Sequence, residues 1–201
     1  MDGQLIEERI HVAGRELTML RPPDPEALIS EQAFEREEFL PYWAELWPSG
    51  LALAEAVAAL PLAGRRVLEL GCGLGLPSLA AALAGAAVLA TDWSPDAVAL
   101  LRENADRNGI ELQVEVASWF EPDALAAPVP WDVVLAADIL YERRHVDPLL
   151  ALLPRLGAEI LVAEPGRPAA AEFLERADET WRVETRVLRE NPTVRLFRLT
   201  R

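Results

Sequence analysis

One run of residues, Val67-Leu68-Glu69-Leu70-Gly71-Cys72-Gly73-Leu74-Gly75, limits what this chain can fold into more than any other feature. Its first half is mostly apolar and predicts a short buried strand. Its glycines predict a tight turn, because glycine accepts positive φ values and allows a close backbone approach. The stretch Pro77–Leu83 then predicts a helix with proline in its first turn. Strand, glycine-rich turn and helix form the repeating unit of a parallel α/β sheet.

The rest of the chain continues this alternation of strands and helices. Strands are predicted at Arg66–Leu70, Ala87–Thr91, Glu111–Ala117, Trp131–Ala137 and Glu159–Ala163, and helices at Leu51–Leu60, Pro77–Leu83, Pro95–Arg107, Pro148–Leu156 and Ala169–Ala177. Two alternating runs, Arg182–Leu188 and Val194–Thr200, predict a closing hairpin. The predicted fold class is therefore α/β, a Rossmann-like seven-stranded sheet, mostly parallel, with helices on both faces and an antiparallel C-terminal hairpin.

Residues 1–50 are predicted to form an N-terminal extension packed on the main domain, residues 51–201. Leu5–Leu20 alternates weakly around Ala13-Gly14-Arg15, which predicts a β-hairpin. Glu26–Phe39 has apolar residues at helical spacing and predicts a helix. An aromatic loop completes the extension. A chain of 201 residues fits this organisation, since it is long enough for one α/β core and short for two.

The charge of the chain bears on its partners. Asp and Glu number 33 against 19 Lys and Arg, which gives a net charge of −14 at pH 7. Such a field repels phosphate backbones, so we expect no nucleic-acid partner. It favours a cationic substrate, such as a lysine-bearing protein surface or a small amine. The simpler alternative is that the acidity only keeps the protein soluble.

The sequence contains no pattern typical of a metal centre, a secretory leader or a membrane span. Cys72 is the single cysteine, and His11 and His145 lie too far apart for metal-ligand spacing, so both histidines are expected at the surface or in loops. The N-terminus lacks the apolar core of a signal peptide. Glycines and Pro77 interrupt the uncharged stretch Gly71–Thr91. We therefore expect no metal, no membrane association and a cytoplasmic location.

The glycine-rich turn is followed by an acidic residue, Asp92, at the end of the next predicted strand. An acidic side chain about 20 residues beyond such a turn can accept both hydroxyls of a ribose. The two features together indicate an adenosine ligand, and the alternative is a tight turn beside a surface carboxylate. Dinucleotide sites use Gly-x-Gly-x-x-Gly, whereas this chain has Gly71, Gly73 and Gly75 preceded by Glu69.

This pattern resembles the first motif of class I S-adenosylmethionine-dependent methyltransferases, whose seven-stranded sheet ends with one reversed strand. Two more features narrow the resemblance. Trp47-Pro48-Ser49-Gly50 precedes the glycine-rich turn, and Asp138-Ile139-Leu140-Tyr141 stands at the end of a predicted strand. Together they resemble methyltransferase family 16, the seven-strand protein lysine methyltransferases. The resemblance covers the chain from the aromatic loop to the closing hairpin.

The resemblance implies that S-adenosylmethionine is the cofactor and that the glycine-rich turn holds its methionine part. Glu69, Gly71, Gly73 and Gly75 would line that part of the site. Cys72 lies in the same turn and would also border the cofactor. It is expected to act as a small apolar filler rather than a nucleophile, because no neighbouring histidine supports a thiolate.

The resemblance also implies how the nucleoside is held. Asp92 would take the ribose hydroxyls, and Trp93 would cover the adenine edge. Trp119 would flank the adenine, or alternatively it would only plug the edge of the core. Trp47 would close over the cofactor. Family members often carry an acidic residue just before the tryptophan, whereas this chain has Ser118, so the adenine contact departs from the family pattern.

Asp138 and Tyr141 would face the methyl acceptor, and Asp138 would also border the cofactor. The function implied is N-methylation of a protein lysine. In this hypothesis Asp138 binds the amine while it is cationic, and Tyr141 and the aromatic loop then orient and desolvate it, which lowers its pKa.

Three alternatives stay open at this point. A small-molecule N-methyltransferase of the nicotinamide type shares these motifs. An NAD(P)-dependent oxidoreductase shares the sheet, but the glycine spacing and the absence of any lysine argue against it. A binding module could keep the pocket without catalysis.

Overall fold

A two-stranded hairpin and a seven-stranded sheet make up the β structure of the computed structural model, which describes residues 5–12, 14–28, 41–125, 130–187 and 192–201. The hairpin strands are β1 (Ile6–Val12) and β2 (Arg15–Arg21), and the sheet strands are β3 (Arg66–Leu70), β4 (Ala87–Asp92), β5 (Gln113–Val116), β6 (Val133–Ala137), β7 (Glu159–Glu164), β8 (Arg182–Val187) and β9 (Arg195–Thr200). The sheet has the spatial order β5-β4-β3-β6-β7-β9-β8.

Helices cover both faces of this sheet. Those in the described residues are α1 (Pro48–Ala58), α2 (Leu76–Leu83), α3 (Pro95–Arg107), the short α4 (Pro122–Leu125), α5 (Val146–Leu156) and α6 (Pro168–Ala177). Apolar residues of α1, α2 and α3 pack into one hydrophobic cluster, and those of α5 and α6 pack into another. The sheet separates the two clusters, which confirms the predicted α/β layer arrangement. No helix in the described ranges combines the length and the apolar character that crossing a bilayer requires.

The central strands are apolar along their whole length because both of their faces are covered. In β6, Val133 and Leu135 belong to the cluster of α1–α3, whereas Val134 and Ala136 belong to the cluster of α5 and α6. All four side chains are fully buried. Successive residues of a strand point to opposite faces, so a strand buried on both sides has no polar alternation.

The last strand, β9, is the reversed strand of the sheet. It lies between β7 and β8 and pairs antiparallel with both, whereas β3 to β7 pair in parallel. The predicted C-terminal hairpin is therefore confirmed, and its second strand inserts next to β7. Residues 188–191, which include the predicted strand end Leu188, lie outside the described residues.

Asn104 of α3 and Asn108, which caps the end of this helix, hold the N-terminal hairpin. The side-chain amide of Asn104 accepts from the backbone N–H of Leu20 at 2.7 Å and donates to its carbonyl at 3.1 Å. Asn108 makes the same pair of bonds to Thr18, both at 2.8 Å. Because the two amides lie one helical turn apart, they pair with alternate residues of β2 as a neighbouring strand would.

Element boundaries differ from the predicted ones by a few residues. Helix α1 begins at Pro48 rather than Leu51, because proline is tolerated in the first helical turn. The predicted helix Glu26–Phe39 lies mostly outside the described residues. Its described start belongs to a 3₁₀ turn, Pro25–Leu28.

The strand order reverses between β3 and β6. The chain runs outward from β3 to β4 and β5, and then crosses back to place β6 on the other side of β3. Ligands of open α/β sheets bind at such a switch point, beyond the carboxyl ends of the strands. The glycine-rich turn follows β3 and Asp138 follows β6, so both lie at this point.

Candidate active site

A cavity of about 240 Å³ opens at the switch point, beyond the ends of β3, β4 and β6. Every residue that the sequence analysis placed in the cofactor or acceptor site lies on its wall. These residues are Trp47, Glu69, Gly71, Cys72, Gly73, Gly75, Asp92, Trp93, Trp119, Asp138 and Tyr141. The tertiary structure therefore brings the whole predicted set together around one space.

The glycine-rich turn owes its conformation to its three glycines. Gly71, Gly73 and Gly75 have φ values of +63°, +50° and +77°. At Gly75 a Cβ atom would lie only 2.3 Å from Cδ1 of Leu101, a fully buried side chain. At Gly73 it would lie 3.0 Å from the backbone oxygen of Trp43. A side chain at Gly75 would force the buried Leu101 side chain to shift, and one at Gly73 would press on the Trp43 backbone; either would also have to adopt a left-handed backbone conformation.

Asp92 ties the turn to the next strand. One carboxylate oxygen accepts from the backbone N–H of Gly73 and the other from that of Ser94, both at 2.9 Å. The side chain is almost completely buried, and burial raises its pKa. A carboxylate has about four lone-pair positions, so each oxygen still has capacity to accept a ligand hydroxyl.

Glu69 points from β3 towards the first turn of α2. Its carboxylate accepts from the hydroxyl of Ser78, and its backbone oxygen accepts from the hydroxyl of Thr91 at 2.7 Å. Burial raises the pKa of Glu69 to about 8. The thiol of Cys72 is also buried, and burial together with Asp92 and Glu69 raises its pKa. A thiol kept protonated in this way supports the prediction that it is no nucleophile.

Trp119 closes the cavity beside the glycine-rich turn. Its ring lies 3.1 Å from the point that a Cβ of Gly71 would occupy. The side chain is buried, and its indole N–H has no acceptor within the described residues. Trp119 therefore packs in the core, as one alternative had it, and its side chain also lines the cavity. Trp93 lines the same wall.

Asp138 occupies the other end of the cavity in an unusual conformation. It has a φ of +56°, which is uncommon outside glycine and best tolerated by Asn and Asp. Its backbone N–H donates to the carbonyl of Ala163 in β7 at 2.9 Å. Its carboxylate accepts from the hydroxyl of Ser49 at 3.4 Å and from Nε of Arg167 at 2.7 Å. The carboxylate already has a cationic partner from its own chain.

Arg167 was not among the predicted site residues, although it lines the cavity. It precedes the first residue of α6, and its backbone N–H donates to the carboxylate of Glu164 at 3.2 Å. Its guanidinium carbon lies 5.8 Å from the centre of the Trp47 ring, within the range of a cation–π contact. Burial raises the pKa of Glu164 to about 7. Sequence reasoning could have found Arg167 by following β7 beyond its carboxyl end, as it followed β6.

Aromatic rings line the end of the cavity that contains Asp138 and Tyr141, which the sequence analysis predicted to face the methyl acceptor. The Tyr42 ring lies 5.1 Å from that of Tyr141 and 6.0 Å from that of Trp47, centre to centre. The indole N–H of Trp47 donates to the backbone oxygen of Tyr42 at 2.7 Å. Burial raises the pKa of Tyr141 above its usual value, so its hydroxyl is neutral at pH 7.

His145 was expected at the surface or in a loop; it lies in a 3₁₀ turn, Arg143–His145, but it is not at the surface. Its side chain is fully buried, and its Nδ1 lies 2.9 Å from the carbonyl oxygen of Ile139. Its ring contacts those of Tyr141 and Trp119 at 4.3 and 5.4 Å. Burial lowers its pKa, so the ring is neutral. Contacts from distant segments bury it, and its sequence neighbours, which are charged, do not indicate this.

The cavity wall carries more carboxylates than basic side chains, even though the carboxyl of Glu69 holds a proton at pH 7. Its described lining residues include five carboxyl groups and one basic side chain, that of Arg167. The carboxyl groups belong to Glu45, Glu69, Asp92, Asp138 and Glu142. A wall of this kind attracts cations and disfavours phosphates. Within the described residues, no cluster of three or more His, Cys, Asp or Glu side chains could hold a metal ion.

Solved structures share this architecture. The 16S rRNA N2 G1207 methyltransferase of Thermus thermophilus, in complex with AdoMet and guanosine, matches with a TM-score of 0.68 and 16% identity, over 98% of this chain and 50% of that chain. Magnesium protoporphyrin IX methyltransferase from Synechocystis, with bound SAM, matches with a TM-score of 0.61 and 18% identity, over 88% of this chain and 94% of that chain. At these identities the likeness shows the fold alone.

Relatives found by sequence share a larger fraction of identical residues with this chain than these structures do. The electron transfer flavoprotein beta subunit lysine methyltransferase of Danio rerio is 36% identical over 137 residues, which are 63% of this chain and 51% of the relative. A human histone-arginine methyltransferase is 33% identical over 117 residues, 54% of this chain and 60% of the relative. The chain spans about half the length of the flavoprotein-methylating relatives that it matches.

A family model described as lysine methyltransferase, methyltransferase family 16, matches residues 42–179, which is more than half of the chain. The match begins at the aromatic loop and ends after α6, so it contains the whole cavity wall described above. The resemblance inferred from the sequence motifs is confirmed, and this chain belongs to the lysine methyltransferase family.

Proposed function

We propose that this chain is an S-adenosylmethionine-dependent methyltransferase that methylates the side-chain nitrogen of a lysine in another protein. Membership of the lysine methyltransferase family supports this. The observation that carries the proposal is the single cavity that joins a glycine-rich turn and Asp92 to an acidic, aromatic acceptor end. Methyl transfer requires the cofactor and the acceptor to be bound next to each other, and this cavity has one end for a nucleoside and one for an amine.

The residues of the turn fit the cofactor. Asp92 retains lone pairs for ribose hydroxyls, and the ring of Trp119, which lines the same cavity, is proposed to flank the adenine. Glu69 and the backbone of Gly71–Gly75 border the space for the methionine part. When bound, S-adenosylmethionine supplies a methyl group that its sulfonium already activates. The protein therefore has to align the acceptor and exclude water rather than activate a leaving group.

The acceptor end fits an amine. The carboxylate of Asp138 and the rings of Trp47 and Tyr141 combine negative charge with aromatic faces, which together attract an ammonium ion. The acceptor nitrogen must lose its proton before it can attack a methyl group. Desolvation of the bound amine disfavours its charged form and so opposes the attraction of Asp138, which allows the nitrogen to release its proton to water before it attacks. Tyr141 and Trp47 are thus proposed to orient and desolvate the amine, and Asp138 to receive it.

The test is transfer of labelled methyl groups from S-adenosylmethionine to electron transfer flavoprotein and to a lysate of the source organism, followed by hydrolysis and identification of the methylated amino acid. This chain contains no lysine, so methyllysine cannot come from its own side chains. Methyllysine in an acceptor protein supports the proposal. Label found only on small amines would favour the small-molecule alternative.

Cofactor binding is tested separately by calorimetry with S-adenosylmethionine, S-adenosylhomocysteine and NADH. We expect the first two to bind and NADH not to bind. Replacement of Asp92 by Ala should weaken binding, whereas Asp123→Ala, an exposed surface change on α4, should leave it unaltered. Stabilisation by NADH alone would contradict the proposal.

A further inference from the structure

The acceptor end of the cavity is already filled by a cation, and that cation belongs to the chain itself. The guanidinium of Arg167 contacts the Asp138 carboxylate through Nε at 2.7 Å and lies over the ring of Trp47. Ser49 donates its hydroxyl to the same carboxylate. We call the Asp138 carboxylate, the Ser49 hydroxyl and the Trp47 ring the cation seat.

The seat is fixed, whereas its occupant is not. Asp138 is held by its left-handed backbone and by its bond to Ala163, and its side chain is only 6% exposed. The backbone of Arg167 is anchored through Glu164, but its side chain is 33% exposed. Only Nε of the guanidinium has a hydrogen-bond acceptor within the described residues. A long side chain held at one donor can leave by rotation about its own torsions.

Charge explains why the seat should not be empty. Removing a cation from a buried carboxylate is costly unless another cation replaces it. Asp138 is one of five carboxyl groups on the described cavity wall, and Arg167 is the one basic residue there. A lysine ammonium brings the same charge and is recognised by the same two groups, a carboxylate and an aromatic face. Exchange of one cation for the other keeps the charge of the site constant.

We propose that Asp138, Ser49 and Trp47 form a cation-binding site which Arg167 occupies in the resting protein and which the substrate ammonium takes over by displacing Arg167. This inference rests on the proposed function for the identity of the incoming cation. It makes Arg167 a specificity-determining residue, because a neutral group or water offers no replacement charge to Asp138. Arg167 also keeps the seat closed to weakly binding cations.

The first test measures cation binding to the seat and does not involve methyl transfer. Thermal unfolding of Arg167→Ala and of the wild type is followed in guanidinium chloride and in n-butylammonium chloride. Salt concentrations are far below those that unfold proteins, with sodium chloride at equal ionic strength as the reference. We expect both cations to raise the melting temperature of Arg167→Ala in a saturable way, relative to sodium chloride, and to leave the wild type unchanged. An equal response of the two proteins, or none in Arg167→Ala, would overturn the proposal.

Three variants make this result specific. Arg155→Ala removes an arginine from an exposed ion pair with Asp123, at 2.8 Å, and should not acquire the response. The double variant Asp138→Asn with Arg167→Ala lacks the seat and should lose the response. Arg167→Gln replaces Arg167→Ala if the latter does not fold, and should acquire the response. Acquisition by Arg155→Ala, or retention by the double variant, would mean that the cations bind elsewhere.

The second test uses the lysine acceptor and reads KM separately from kcat. If the seat is free in about one molecule in ten, the apparent affinity for the acceptor is reduced about tenfold, and Arg167→Ala should lower KM by about that factor. A higher KM that Arg167→Lys restores would show that Arg167 binds substrate itself, which contradicts displacement. Cation binding to Arg167→Ala with no lysine methylation by any variant would instead count against the proposed function alone.

Discussion

The two ends of the cavity are built in different ways. At the nucleoside end, Asp92 accepts hydrogen bonds from the backbone of Gly73 and Ser94, and the backbone N–H of Cys72 donates to the carbonyl of Thr91. At the acceptor end, the backbone N–H of Asp138 donates to the carbonyl of Ala163, but its carboxylate accepts from side chains, those of Ser49 and Arg167. The carboxylate at the nucleoside end therefore accepts hydrogen bonds from backbone N–H groups, whereas the carboxylate at the acceptor end accepts them from the side chains of particular residues.

This difference has a consequence for what each end can do. Backbone bonds and positive φ values leave the glycine-rich turn one arrangement, which suits a ligand that is the same in every catalytic cycle. Side-chain contacts can break by rotation about χ angles, which suits a site that admits an outside group. Changes at the nucleoside end should therefore alter stability and cofactor affinity, and changes at the acceptor end should alter turnover.

The largest effect is expected at Gly75. Gly75→Ala places a Cβ against the buried side chain of Leu101 and forces a left-handed alanine, so we expect a loss of about 2–4 kcal/mol in unfolding free energy. Gly109→Ala is the matched control, with a φ of +65° and no atom within 4 Å of the new Cβ, and should cost about 1 kcal/mol. Urea unfolding measures both. Equal losses would mean that packing against Leu101 does not constrain the turn.

The next effect concerns Asp92. Asp92→Ala leaves the backbone N–H groups of Gly73 and Ser94 without their acceptor and removes the proposed ribose contact. We expect S-adenosylmethionine to bind about 10–100-fold more weakly by calorimetry. Asp106→Ala, an exposed change on α3, should leave the affinity unaltered. An unchanged affinity in Asp92→Ala would place the nucleoside elsewhere.

A smaller and different effect is expected at the acceptor end. Asp138→Asn keeps a residue that tolerates positive φ but removes the negative charge. We expect kcat at saturating cofactor to fall about tenfold or more, with cofactor affinity nearly unchanged. Asp138→Ala should do the same with an added stability loss of about 1 kcal/mol. Intact turnover in both variants would remove Asp138 from the proposed mechanism.

The smallest expected effect is the release of a proton from Glu69 when the cofactor binds. Burial raises the pKa of Glu69 to about 8, so the free protein holds a proton there at pH 7. A cationic ligand favours the carboxylate, so cofactor binding at pH 7 should release up to about one proton, and affinity should rise with pH until about 8. Calorimetry in buffers of different ionisation enthalpy measures the release. Glu69→Gln should abolish it, and a release that survives this change must come from another group.

The fold was largely predictable because its signals are local. Val133–Ala137 is an apolar run, and Ser94 and Pro95 mark the start of α3 as a cap and a first-turn proline do. Within residues 51–201, each strand and each helix except the short α4 was predicted within a few residues. The burial of His145 shows the limit of prediction from local sequence. A histidine among charged neighbours gives no signal that Trp119 and Tyr141 will bury it.

The amino-acid sequence by itself determined the nucleoside end, since its contacts are made by backbone groups of adjacent strands and require only glycines and one carboxylate at the right spacing. Only the tertiary structure decided the acceptor end. Ser49 and Asp138 are 89 residues apart, and Asp138 and Arg167 are 29 apart, so their contacts depend on how α1 and α6 pack on the sheet. Asp138 was visible as a lone carboxylate at a strand end, and packing alone gave it a cationic partner.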